Sequence, residues 1–197
     1  YGINATNAAE AIIENVKAYM NGYAGIAAGE NSLVENCIAY GNGMKNDPPQ
    51  PPQFGVVDDG IHVEAYSTVK DCKSRGNRGC GIYVHLGGKV TGCTAAQSMV
   101  ANGIFAEDFC TIRDCTVMGN MSGGITVMNK CRVSDNTCAD NALSSSSAGI
   151  LVLGMSNRIE DNNLTGNFTG LKVQSSGNLV IRNSANGNTN DYLMGAG

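Results

Sequence analysis

The dipeptide Gly-Ile recurs at Gly2, Gly25, Gly60, Gly81, Gly103, Gly124 and Gly149, and Gly-Leu follows at Gly170, with spacings of 23, 35, 21, 22, 21, 25 and 21 residues. Self-similarity at such a period marks a repeat architecture and decides the fold before any single element is considered. Each unit runs Gly-Ile-x-Val, a small or polar turn, Val/Ile-x-x-Cys/Asn, a small residue, then Asn. The unit at Gly103 reads GIFAEDFCTIRDCTVMGNMSG, and that at Gly149 reads GILVLGMSNRIEDNNLTGNFT. A leucine-rich repeat has a similar period but needs a Leu-x-x-Leu-x-Leu frame, which these units lack. Short β-branched pieces alternate in and out between Gly, Asn and Ser, predicting three short strands per turn. That is an all-β parallel β-helix, a solenoid of about eight coils of 21–22 residues. Stacked at the usual strand spacing, eight coils make a rod of about 38 Å.

Composition fits this reading. The 197 residues include 26 Gly and 23 Asn, both poor helix formers. A hydrophobic content of 42% is too high for a disordered chain. The net charge of −4 excludes a nucleic-acid surface, which needs a basic stripe. No apolar run approaches the roughly 18 residues of a membrane span, and no signal peptide is visible. The opening Tyr-Gly-Ile-Asn reads as the interior of a repeat. Residues 1–197 are therefore expected to be one β-helix domain, an excised piece or uncapped core of a rod.

Stacking turns sequence columns into physical ladders. One inward column is Val16, Cys37, Cys72, Cys93, Cys115, Asn136, Asn162 and Asn183. A second is Ser32, Ser67, Gly88, Cys110, Cys131, Asn157 and Asn178. A third holds Asn21, Asn42, Asn77, Asn120, Asn141, Asn167 and Asn188 at the turn into the next coil, where Asn is expected to supply left-handed backbone. Asn amides in such an asparagine ladder bond one another, and thiols meet by apolar contact. The core is the Ile of each Gly-Ile, beside Val63, Val84, Val127, Val152 and Val173. Six of the eight cysteines fall in these columns, so they read as structural free thiols; parallel Cβ vectors would strain a disulfide. There is no paired Cys-x-x-Cys spacing and only two His occur, so no metal or cofactor is assigned.

The units GIYVHLGGKVTGCTAAQSMVAN and NRIEDNNLTGNFTGLKVQSSGNLVIRNSANGN resemble the bacterial right-handed parallel β-helix repeat proteins of the pectin-lyase superfold, over essentially the whole chain. The resemblance implies a single right-handed β-helix and a secreted or cell-surface location. The family includes polysaccharide lyases, uronate epimerases and glycoside hydrolases, alongside many members of unknown role. It says little about chemistry, because one superfold hosts many functions. The basic residue that lyase-like members use is represented in the outward columns only by Lys172, while Arg75, Arg78 and Lys89 are expected at turns. Of the hydrolase-like motifs, Asp58-Asp59 matches the Asp pair, and the Gly-His-Gly and Arg-x-Lys elements are absent.

Loop insertions in solenoids gather on one face, often the binding face. Two are expected here, at residues 44–57 (with the stiff NDPPQPPQ) and 142–148, both just before a Gly-Ile strand. Outward positions of that sheet are Ala27, His62, Tyr83, Phe105, Thr126, Leu151 and Lys172, then Gly29, Glu64, His85, Glu107, Met128, Leu153 and Gln174. Both histidines, two Glu and two aromatics thus fall on three adjacent coils. His85, between Glu64 and Glu107, is the candidate proton acceptor, with those two carboxylates as catalytic partners. Glu64 and Glu107 stand two coils apart, about 9.6 Å, near the upper end for an inverting carboxylate pair. His62, Tyr83, Phe105, Asp58 and Asp59 are the candidate substrate-binding residues, with aromatic faces suited to sugar rings. Ca²⁺ at Asp58 and Asp59 lacks enough ligands. Further along, Phe105, Met128, Leu151 and Leu153 form an apolar stripe, which reads as a packing or partner surface. The expected function is binding, and processing, of polysaccharide. The alternative is a structural rod that assembles through its coil ends or this stripe.

Overall fold

The computed structural model describes residues 1–44, 58–142 and 146–195; nearly all of the first expected insertion, including NDPPQPPQ, and residues 143–145 of the second lie outside them. Among the described residues there is no helix, and every strand pairs in parallel with its equivalents one coil away. Three sheets run along the rod, with nine, eight and eight strands. This is a β-solenoid of about eight coils with three strands per coil, as the repeat predicts.

Strand length follows from the repeat. Most strands have three residues, such as Ile61–Val63 and Ile82–Val84. The first and third residues of each point inward in the first sheet. Ile26, Ile61, Ile82, Ile104, Ile125, Ile150 and Leu171 are completely buried in one stack. Close approach explains the Gly before each Ile. A Cβ on Gly60, Gly81 or Gly124 would lie 2.6, 2.6 or 2.3 Å from the carbonyl oxygen of the equivalent Gly one coil on. Glycine is needed there for space, and none of these three has a left-handed φ.

The left-handed backbone lies elsewhere than the sequence suggests. It falls on the residue just before each stacked column, at positions five apart: Glu10, Asn15 and Met20 in the first coil, Tyr66, Asp71 and Gly76 in the third, Ser156, Asp161 and Gly166 in the seventh. The stacked asparagines have ordinary φ and do different work. The Asn42 backbone N–H donates to Asn77 Oδ1 (2.9 Å), and Asn42 Nδ2 donates to the same oxygen (2.9 Å) and to the Ala18 carbonyl (3.1 Å). Each amide thus satisfies the corner groups that a turning chain cannot pair with strands. Ser98 fills the gap in this column, its N–H bonded to Asn120 Oδ1.

The column cysteines do the same work, so apolar contact is only part of their role. The N–H groups of Cys37 and Cys72 donate to Cys72 Sγ and Cys93 Sγ, each at 3.4 Å, and the Cys115 N–H donates to Asn136 Oδ1 at 3.0 Å. All eight thiols are free and buried. The bond to Cys115, with burial, pushes the Cys93 thiol up to about 12.

On the outward face of the second sheet, Glu160 is buried beneath three guanidinium groups. Arg158 Nη2 lies 2.6 Å, Arg132 Nη2 2.8 Å and Arg182 Nη2 3.0 Å from its oxygens. These bonds, Arg158 foremost, push its carboxyl down to about 2. A carboxylate with a lowered folded pKa stabilises the fold above its unfolded value, and that contribution fades as pH falls toward the folded one. The urea midpoint of the wild type is therefore expected to exceed that of Glu160→Gln above about pH 5, and the gap to close between about pH 4.5 and 2. A gap independent of pH would show that the arginines do not hold the charged form.

Candidate functional site

The middle residue of each first-sheet strand faces outward, which places His62 beside Tyr83 and Tyr83 beside Phe105 in register. The residue just past each strand continues the ladder. The N–H groups of Glu64, His85 and Glu107 donate to the carbonyls of Ala28, Val63 and Val84, so these side chains emerge from a fixed backbone.

The cluster these columns form is tightly bonded. His62 Nδ1 lies 3.0 Å from Asp59 Oδ2, and Asp59 Oδ1 accepts the Cys80 N–H at 2.7 Å. His62 Nε2 and His85 Nε2 face each other at 3.2 Å. Glu64 reaches both, with Oε1 3.7 Å from His62 Nε2 and Oε2 3.7 Å from His85 Nε2. Glu107 Oε1 lies 3.2 Å from His85 Nδ1 and accepts the Tyr83 hydroxyl at 3.1 Å. Burial, then the Glu107 charge, pushes the Tyr83 phenol upward, so it stays protonated and can donate. His62 and Asp59 are each 8% exposed, whereas His85, Glu64 and Glu107 reach solvent. Next to them is a shallow cleft of about 290 Å³ lined by Tyr83, Leu86, Phe105, Glu107, Asp108 and Met128. A larger recess of about 370 Å³ lies at another corner, between Met99 and Met121. Asp140 is the one titratable side chain that lines it.

Several expectations change in this geometry. Both faces of Tyr83 are covered. His62 stacks on Tyr83 (4.9 Å, 19°) and Tyr83 on Phe105 (5.1 Å, 21°), so Tyr83 offers its edge and hydroxyl. His85 lies between Glu64 and Glu107, 3.7 and 3.2 Å from their oxygens. Asp59 has both oxygens engaged within the protein, and Asp58 pairs with Arg78 at 2.7 Å. The apolar stripe is largely covered: Leu151 is 8% exposed, and Phe105, Met128 and Leu153 are half-buried. Lys172, its register neighbour, donates to the Ser146 carbonyl at 3.3 Å. Arg75 and Lys89 are the last and first residues of the strands Lys73–Arg75 and Lys89–Thr91 in the other sheets, beside the corners. Leu86 and Asp108 line the cleft without having been singled out in the sequence. Both sit just past the outward columns, at the corner into the second sheet, and that adjacency was their only signal.

Residues 1–143 match the family model described as the right handed beta helix region, and the chain belongs to that family. Among solved structures it is similar to the A-module of the mannuronan C-5 epimerase AlgE4 of Azotobacter vinelandii, with a TM-score of 0.72 and 19% identity over 99% of this chain and 56% of that one. It is also similar to the AlgE6 A-module from the same organism, with a TM-score of 0.66 and 18% identity over 99% of this chain and 59% of that one. The chain thus spans little more than half of either module, and at these identities the likeness is one of fold. No curated protein sequence matches it.

Proposed function

We propose that this chain is a polysaccharide-acting β-helix module of the cell exterior, and that it binds the polymer along the outward face of the first sheet. The observation that carries this reading is the convergence of both histidines, Tyr83, Glu64 and Glu107 on three adjacent coils beside one open cleft. The shared fold with mannuronan epimerase modules makes uronate polymers the first substrates to test.

In this reading His85 is the base. Its ring is partly exposed at the edge of the cleft, with Nδ1 3.2 Å from Glu107 Oε1 and Nε2 3.2 Å from His62 Nε2. Tyr83, held neutral, is the proton donor, and Glu107 accepts its hydroxyl and lies 3.2 Å from His85 Nδ1. A base and an acid on one face suit proton exchange at a sugar carbon, with or without loss of the neighbouring substituent. Asp59 is a positioning residue that orients His62, and Phe105 and Met128 form the apolar floor of the cleft.

The test is a panel of uronate and neutral polysaccharides. Binding is followed by calorimetry, unsaturated uronate by ultraviolet absorbance and C5 inversion by NMR. His85→Ala and Tyr83→Phe are each expected to lower turnover by about 10²–10⁴-fold, with binding changed much less. Absence of binding to every polysaccharide would overturn the proposal and leave the assembly rod standing.

A further inference from the structure

The two histidines pose a problem of proton accounting. His62 Nδ1 lies 3.0 Å from Asp59 Oδ2, and His85 Nδ1 lies 3.2 Å from Glu107 Oε1. A carboxylate only accepts, so His62 Nδ1–H donates to Asp59, and in neutral imidazole that leaves His62 Nε2 as a lone-pair acceptor. This atom faces His85 Nε2 across 3.2 Å, on a ring that is 8% exposed. Either the His85 Nε2–H or a cation beside both nitrogens satisfies it.

We infer that His62 Nε2, His85 Nε2 and the Glu64 carboxylate form a binding site for a divalent first-row transition metal of the Zn²⁺ class. The spacing suits it. Two nitrogens bound at about 2.0–2.1 Å to one ion, at angles between square and tetrahedral, stand about 2.8–3.4 Å apart. The third ligand is at hand, since ligand atoms of all three residues lie within 4.8 Å of one another. Glu64 is partly exposed, so a small rotation of its carboxylate reaches the ion and leaves coordination positions open to water. The outer shell is already built, because each histidine's far nitrogen is held by a carboxylate, the arrangement that fixes the tautomer of metal-bound imidazole. Two imidazoles favour Zn²⁺, Ni²⁺ or Cu²⁺ over the all-oxygen preferences of Ca²⁺ and Mg²⁺.

Metal and abstracted proton compete for the His85 lone pair, so a loaded site opposes the turnover proposed above. The site itself does not depend on that reading, because it is measured without any glycan. Chelator-stripped, folded protein is titrated with Zn²⁺ by calorimetry and with Co²⁺ by absorbance; the cobalt spectrum separates imidazole and carboxylate ligation from capture by the eight cysteines. The expected result is one saturable ion per chain, no thiolate-to-cobalt band, and no comparable Ca²⁺ binding. His62→Ala and His85→Ala should abolish binding while the circular dichroism spectrum is retained. Asp59→Asn and Glu107→Gln should weaken it about 10–100-fold. No saturable binding, binding that survives both histidine substitutions, or thiolate ligation would each overturn the inference. A glycan that still binds metal-free protein would leave the proposed function intact in that case.

Discussion

Asn141→Ala is expected to cost the fold about 4 kcal/mol, the sum of two buried groups losing their partners at about 1–3 kcal/mol each. Asn141 is 1% exposed. Its Oδ1 accepts the Asn120 N–H and Nδ2 at 3.1 and 2.9 Å, and its Nδ2 donates to the Val117 carbonyl at 2.9 Å and Asn167 Oδ1 at 3.2 Å. Alanine leaves the Asn120 N–H and the Val117 carbonyl without these bonds in a space that water does not reach. Asn120 Nδ2 keeps the Ala95 carbonyl and Asn167 Oδ1 keeps the Asn141 N–H, so the damage stays local. Urea unfolding followed by circular dichroism reads the loss. A cost below about 1 kcal/mol would mean that the corner amides find other partners.

The second large effect is steric. Gly124→Ala places a Cβ 2.3 Å from the Gly149 carbonyl oxygen and 3.1 Å from Asn141 Nδ2. The nearer atom is backbone in the next coil, so relief requires two coils to move apart and lengthens the hydrogen bonds between them. Overpacking of this kind costs about 1–3 kcal/mol, and a backbone obstacle puts Gly124→Ala at the upper end, about 3 kcal/mol. Gly177 is the control: a Cβ there meets nothing, although its left-handed φ of +72° adds backbone strain. Urea midpoints for both variants check the ranking. A mild Gly124→Ala alongside a severe Gly177→Ala would show that conformation, rather than space, selects glycine in the repeat.

These effects also show which features a sequence of this kind reveals. The phase of the repeat was legible because a three-residue strand between corners exposes its in–out alternation directly. That alternation placed His62, Tyr83 and Phe105 in one outward column and Glu64, His85 and Glu107 in the next. The left-handed corners were not legible, since residues as different as Met20, Tyr66, Phe109 and Arg182 occupy them. The glycines and asparagines that stand out are selected instead for close approach and for bonding between coils. Stacking of the aromatic rings and the facing Nε2 atoms depend on side-chain torsions, which a column of letters does not encode. The three arginines over Glu160 meet only because consecutive coils bring positions 132, 158 and 182 to one point.

Polysaccharide binding on the outward face of the first sheet is tested most directly by NMR titration of isotope-labelled protein with a soluble uronate oligosaccharide. Amide shifts are expected at His62 to Glu64, Tyr83 to Leu86 and Phe105 to Asp108, and none on the Arg132–Glu160–Arg182 face. Tyr83→Ala should weaken the titration, since it removes the hydroxyl and the edge that border the cleft. Silence of the first sheet at saturating oligosaccharide, or shifts confined to the other two sheets, would contradict the assignment of this face.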